Sequence, residues 1–306
     1  MRISYVILLL CLLHSFSWGW SKDGHVIIAK ITYNLITDKT KEKIDLLLKK
    51  PMNSGFTECT DPLSRFEYAL FWPDLIRTLK DEGPSSPVDP AYSKYVHGRR
   101  YSSWHHYINI PYFPEGFRED IAITPLTGNI IDELYISMFT LNNADPKTAG
   151  IDCTEKLCWL GHLTGDIHAP LHCTAMYSKK YPKGDRGGNS IIISGNTYDN
   201  LHSFWDHAPE MAAKKMKMNN VKFAQYLEKQ YPRSTFKAEL EKIGFAEWAG
   251  ESYIIAIHTA YAGLNLNSDN IILTEDYKKK VMTASERQIT LAAYRLADML
   301  NKIFDR

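Results

Sequence analysis

Between Gly161 and His172 the chain reads GHLTGDIHAPLH, which sets His162, Asp166, His168 and His172 in one short stretch. Imidazole nitrogens and carboxylate oxygens are ligands that zinc favours, and a catalytic zinc site keeps one position open for water. His162 and Asp166 stand four apart, so on a helix both leave the same face and can share one ion. Pro170 lacks an amide hydrogen and its ring clashes with the preceding turn. The chain therefore turns there, and His172 is aimed at a second centre. One His and Asp pair of this kind is ordinarily a satisfied ion pair in a core. The spacing recurs, however, in DNLHSFWD, where His202 and Asp206 are again four apart and Phe204 and Trp205 can shield them. Further candidates are His25, Asp74 in WPDLIR, and His105 and His106 in SSWHHYINIP. These donors are too many for one tetrahedral ion and suit two or three.

The elements that must position these groups are mostly helical. Apolar residues fall at helical spacing from Val26 to Ile36, and a second helix is expected from about Lys39 to Lys50, stopped by Pro51. Phe66 to Trp72 reads as an apolar segment ended by Pro73, just before Asp74. Gly83 to Gly98 is rich in Pro, Ser and Gly and reads as a loop. Helices are expected again over Gly128 to Asn142 and Thr154 to Ile167. GGNSIIISGNTYDN, Gly187 to Asn200, has a β-branched run before Gly195 and Asn196 and predicts a short hairpin. The last segment aligns Ile289, Ala292, Ala293, Leu296, Met299, Leu300 and Ile303 on one stripe, the mark of a helix packed on a core. With 306 residues, 44% hydrophobic content, no internal repeat and no long linker, one all-α domain is the economical reading. A net charge of +1 encodes no global attraction to polyanions or membranes, so any such binding must be local.

The first nineteen residues have the layout of a secretory signal: Arg2, an apolar run from Val6 to Leu13, then Ser17 and Gly19 before a cut at Trp20. A cut before Trp18 also satisfies the small-residue rule. The expected organisation is thus a leader over 1–19 and one domain over 20–306. Of the five cysteines, Cys11 lies in the leader, which leaves Cys59, Cys153, Cys158 and Cys173 for an oxidising compartment where disulfides persist. Three pairings are open and the sequence does not choose among them. No Asn-X-Ser/Thr acceptor occurs, and no lipidation signal follows Phe304, so a secreted or luminal protein without membrane anchor is expected.

Taken in order, WSKDGH, WPDLIR, WHHYIN, GHLTGDIHAPLH, GGN and DNLHSFWD resemble the zinc-dependent, single-strand-specific nuclease and 3′-nucleotidase family, the type I nucleases; WAGESY and AAYRLADMLN add to the likeness. The resemblance spans essentially all of the chain after the leader. It implies an all-α globule with three zinc ions at the bottom of a cleft. Carried onto matching positions, Asp74, His106 and His162 would hold one ion of a close pair. His25 with the free amine and carbonyl of Trp20 would hold the other, and Asp166 would bridge them. His172, His202 and Asp206 would hold the third. Only a cut before Trp20 frees an amine at the family spacing from His25. Asp74 is also implied as the group orienting the attacking water, and Arg77 as the cation beside the transferring phosphoryl group. Tyr107 matches a position on which a base stacks, while Asn109 replaces an Asp found in some members, turning an acceptor into a group that also donates. Lys179, Lys180, Lys183 and Arg186 offer charge to phosphates from the loop SKKYPKGDR, although a solvated loop reads the same. The implied activity is hydrolysis of single-stranded DNA and RNA to products with 5′-phosphates, and of the phosphoester of 3′-nucleotides, with no stable protein partner. The competing expectations are a zinc-dependent phospholipase C and a helical metal-binding protein without turnover. His97, His105, His168, His207 and His258 match no ligand position.

Overall fold

A computed structural model describes residues 19–50, 54–78, 103–114 and 128–306. The expected loop over 83–98, His97 and most of the leader lie outside these. In chain order the helices are α1 (Lys22–Leu35), α2 (Asp38–Leu48), α3 (Ser54–Glu58), α4 (Pro62–Thr78), α5 (Ile130–Asn142), α6 (Ile151–Asp166), α7 (Leu201–Asp206), α8 (Ala208–Lys215), α9 (Asn220–Gln230), α10 (Lys237–Leu240), α11 (Phe245–Ile255) and α12 (Glu275–Phe304). The strands are β1 (Ile110–Tyr112), β2 (Thr174–Met176), β3 (Ile193–Ser194) and β4 (Ile271–Ile272), in two parallel pairs, β1 with β2 and β3 with β4. The all-α reading holds. No helix among the described residues is long and apolar enough to cross a membrane.

At the centre is α6, buried without interruption from Cys153 to Asp166. A helix enclosed on all sides needs small residues where its neighbours approach, and GHLTGD supplies two, four apart. A Cβ on Gly161 would lie 2.6 Å from Leu70 Cδ1 of α4, and one on Gly165 would lie 3.0 Å from the His25 ring of α1. These two glycines let α4 and α1 press against the face that carries His162 and Asp166. The C-terminal helix α12 closes the assembly, with Gln288 Nε2 donating to His168 O at 3.1 Å and Thr32 of α1 donating to Ala293 O at 3.2 Å. A second, smaller apolar cluster around Leu171, Met176, Ile193, Leu201, Phe204, Trp205 and Tyr261 lies beneath the glycine loop and α7.

Three local expectations change. The helix carrying Asp74 does not stop at Pro73: α4 runs through it to Thr78. Proline removes one intrahelical hydrogen bond, but Trp72, Pro73 and Asp74 are all buried, and packing against α1 and α6 holds the turn together. The stretch 187–200 folds back through a single antiparallel bridge, Ile192 to Asn200, while the ladder partner of β3 is the distant β4 rather than a hairpin neighbour. The four cysteines among the described residues are unpaired thiols: Cys153, Cys158 and Cys173 are buried and Cys59 half-buried. Burial pushes the thiols of Cys158 and Cys173 well up, so both stay protonated in the core.

Candidate metal centre

Three groups of donors converge: His25, His162 and Asp166; Asp74, His106 and His162; and His172, His202 and Asp206, the ligand atoms of each within 4.8 Å of one another. All eight side chains are buried. The first two groups share His162 and make one cluster. Asp166 Oδ2 stands 3.0 Å from His106 Nδ1 and 3.1 Å from His162 Nε2, and Asp166 Oδ1 is 3.3 Å from His25 Nε2. Asp74 Oδ1 lies 3.7 Å from His162 Nε2 and 3.8 Å from His106 Nδ1. The elements explain the meeting. α6 presents His162 and Asp166 from successive turns, α1 contributes His25, α4 contributes Asp74, and the turn Ser103–His106 delivers His106.

The third group stands on shorter elements. The turn Pro170–His172 aims His172 away from the stripe of α6, and α7 presents His202 and Asp206 one turn apart. His172 Nε2 and His202 Nε2 are 3.1 Å apart, and Asp206 lies 3.9 Å from the first and 3.5 Å from the second. The two clusters adjoin, with His172 Nδ1 4.0 Å from Asp166 Oδ2.

The partners of the two ring nitrogens, taken together, separate these histidines from structural ones. His162 Nδ1 donates to Leu70 O at 2.7 Å, His172 Nδ1 donates to His106 O at 2.7 Å, and His202 Nδ1 donates to Gly187 O. A carbonyl can only accept, so the ring proton is fixed on Nδ1 and Nε2 is turned into the cluster. That is the usual outer support of a metal-binding imidazole. His168 contrasts: its Nδ1 also donates to a carbonyl, Thr164 O at 2.7 Å, but its Nε2 faces Arg295 Nη1 at 2.8 Å, which occupies it. Burial and the Arg295 charge hold His168 well below its ordinary range, so it is a neutral acceptor in the core.

The donor set fits divalent cations. Both nitrogens of His25 and Asp166 Oδ1 are wholly buried without a hydrogen bond, an arrangement that costs several kcal/mol unless charge is compensated there. Burial lowers His162, yet the carboxylates of Asp166 and Asp74 outweigh it and raise the ring to about 9. A site that holds a proton this firmly carries an excess of negative charge, which a cation displacing that proton would neutralise. His25, by contrast, is held down to about 4 by burial and by the charge on His162, so it is neutral at physiological pH and has a lone pair to offer.

Trp20 reaches the same place. It is fully buried, its Nε1 donates to Gly165 O at 3.0 Å, and Ser21 N donates to Asp206 O at 2.8 Å. A Cβ on Gly19 would fall 1.8 Å from Asp166 Oδ1, so the main chain entering Trp20 lies directly on the Asp166 carboxylate. Tyr107 and Asn109 are half-buried, on the chain between His106 and β1. Arg77 lies on α4, but its side chain is outside the described residues. In the basic loop, Lys180 is held by Asp269 at 2.9 Å and by the Ser268 carbonyl at 2.6 Å, while Arg186 is exposed. Sequence reasoning missed Asp185, the Leu70 and Gly187 carbonyls and Tyr261. The doubled glycine after Asp185 was the available signal.

The S1/P1 Nuclease family model matches residues 20–305. The chain belongs to that family and is a nuclease. It is 24% identical to Endonuclease 5 of Arabidopsis thaliana, over 93% of this chain and 90% of the relative, and 24% identical to Endonuclease 1 of the same plant, over 97% and 91%. Nuclease S1 of Aspergillus oryzae (strain ATCC 42149 / RIB 40) is 27% identical over 50% of this chain and 56% of its own. The match is to nucleases, not to the lipid hydrolases of the competing expectation.

Proposed function

We propose that the protein is a secreted zinc-dependent phosphodiesterase that, at a site for three zinc ions, cleaves single-stranded DNA and RNA to products with 5′-phosphates and removes phosphate from 3′-nucleotides. The observation that carries the reading is the set of three imidazoles, His162, His172 and His202, each with Nδ1–H tied to a main-chain carbonyl and Nε2 turned toward a buried carboxylate. In this reading Asp74, His106 and His162 hold one ion. His25 and the freed amine and carbonyl of Trp20 would hold a second, Asp166 would serve both, and His172, His202 and Asp206 would hold the third. Bound zinc supplies an acidified water and screens phosphate charge.

The chain's own groups do the rest. Asp166 keeps the pair together because each of its oxygens faces a different set of imidazoles. Asp74, acceptor-only and buried, orients the attacking water, and Arg77 balances charge on the transferring phosphoryl group. Tyr107 offers a face for a base, and Asn109 both donates to and accepts from its edge. Release of residues 1–19 belongs to this reading, because the main chain at Gly19 lies against Asp166 and an amide nitrogen at Trp20 is a poor ligand. The test is Asp166→Asn in the zinc-loaded protein: cleavage of single-stranded DNA is expected to fall about a thousandfold, several kcal/mol of transition-state stabilisation, with the far-ultraviolet helical signal kept. Full activity in a folded variant would refute the bridging role.

A further inference from the structure

Asp185 is completely buried, lies outside every ligand group, and has each carboxylate oxygen committed twice. Oδ1 accepts from Met176 N at 2.8 Å and Gly187 N at 3.1 Å; Oδ2 accepts from Gly188 N at 2.8 Å and from the Tyr261 hydroxyl at 2.8 Å. With every lone-pair position used, it has none left for a cation. What it does is shape the main chain that follows. Gly187 and Gly188 have φ of 61° and 85°, and a Cβ on Gly187 would fall 2.3 Å from Leu171 O. The loop is thereby pressed against the turn that carries His172, and the Gly187 carbonyl meets His202 Nδ1.

We propose that Asp185 is the positioning residue of the third ligand group: it fixes the Gly187 carbonyl, which in turn fixes the tautomer and direction of His202. A chain of hydrogen bonds runs from Tyr261 through Asp185 and the two glycine amides to Gly187 O, His202 Nδ1 and finally His202 Nε2, 3.1 Å from His172 Nε2. The far end is anchored independently. Tyr261 follows the wide turn Ala256–Ala260, and Tyr277 donates to Ala260 O at 2.7 Å while Trp205, beside Asp206, donates to the Tyr277 hydroxyl at 3.1 Å. Both ligands on α7 are thus referred to one turn. Burial raises the Asp185 carboxyl to about 6 against the pull of its donors, so at neutral pH it is the ionised, acceptor-only form that the loop needs. Asparagine cannot replace it, because its amide group would face the Gly188 N–H donor to donor.

The inference rests on the three-ion reading, and its test separates the two. Zinc per chain is measured by atomic emission across a series of buffered free-zinc concentrations for the parent, Asp185→Asn, Tyr261→Phe and His202→Ala, and the cobalt-substituted proteins are compared by visible absorption. Asp185→Asn is expected to weaken one ion of the three about 10- to 100-fold, the usual cost of losing an outer support, to change the cobalt bands of that ion, and to leave the other two unmoved. Tyr261→Phe should do the same to a smaller extent, and it decides the matter if Asp185→Asn does not fold. Unaltered zinc binding in both variants, with one ion missing from His202→Ala, would overturn the positioning role and leave the three-ion reading standing. Equal weakening of all three ions would make Asp185 a merely structural residue and overturn it too. Full zinc content in His202→Ala would instead overturn the three-ion reading.

Discussion

The two donor clusters adjoin, yet they are built differently. Four of the five side chains of the first cluster, Asp166 included, come from long helices, α1, α4 and α6, whose mutual approach is set by Gly161 and Gly165. The cluster around His202 hangs on a three-residue turn and a six-residue helix, aligned by a glycine loop wrapped on a buried carboxylate. A helix-built cluster inherits its geometry from the main core and fails when that core fails. A loop-built cluster sits over its own small apolar patch and can be loosened alone. In the proposed three-ion reading the cutting of nucleic acid needs both, and the difference predicts that cations can be removed from one without the other.

The largest blow to the helical side is Arg295→Met. Arg295 is 2% exposed, pairs with Glu251 at 2.8 Å, lies 4.7 Å from the Trp248 ring centre and caps His168 two residues beyond Asp166. Removing it leaves Glu251 with Lys242 at 2.9 Å and takes away the donor to His168 Nε2, which should cost about 3 kcal/mol. The urea midpoint should fall and all cations should be released together at the unfolding transition. Selective loss of the third cation would break the contrast. On the loop side, Gly187→Ala forces a methyl toward Leu171 O at a left-handed φ and should cost about 1–3 kcal/mol. Competition with a chromogenic chelator is expected to show one ion released early and two held as in the parent. The smallest effect is expected from Asn200→Ala, which removes the side chain accepting from Ser203 N at 2.8 Å at the start of α7. A lost N-cap costs about 1 kcal/mol, and the same titration should weaken the third ion severalfold at most; a shift as large as that of Gly187→Ala would place the weakness of this site in the helix rather than the loop.

Much of this was legible in the residues. Two His and Asp pairs four apart declare their helices and their shared faces, because side-chain spacing on a helix is a local property. Pro170 turned the chain as expected, for the same local reason. Pro73 did not: the broken hydrogen bond there is a local cost, and the burial of Trp72 and Asp74 between α1 and α6 is a tertiary gain that exceeded it. The hairpin was met in part: Ile192 and Asn200 do bridge antiparallel, but β4, more than seventy residues on in the chain, supplies the ladder partner of β3.

The sequence by itself therefore determined which side chains could bind metal, on which elements they stand and that the body is helical, all properties read within a turn or two of chain. The tertiary structure alone decided which imidazoles are held open for a cation. His168 and His162 are both buried and both donate Nδ1–H to a carbonyl, and only the partner of the other nitrogen, Arg295 in one case and Asp166 in the other, tells them apart. Carbonyl groups belong to every residue and leave no mark in a sequence, so the supports at Leu70 and Gly187 become visible only when the chain has folded around them.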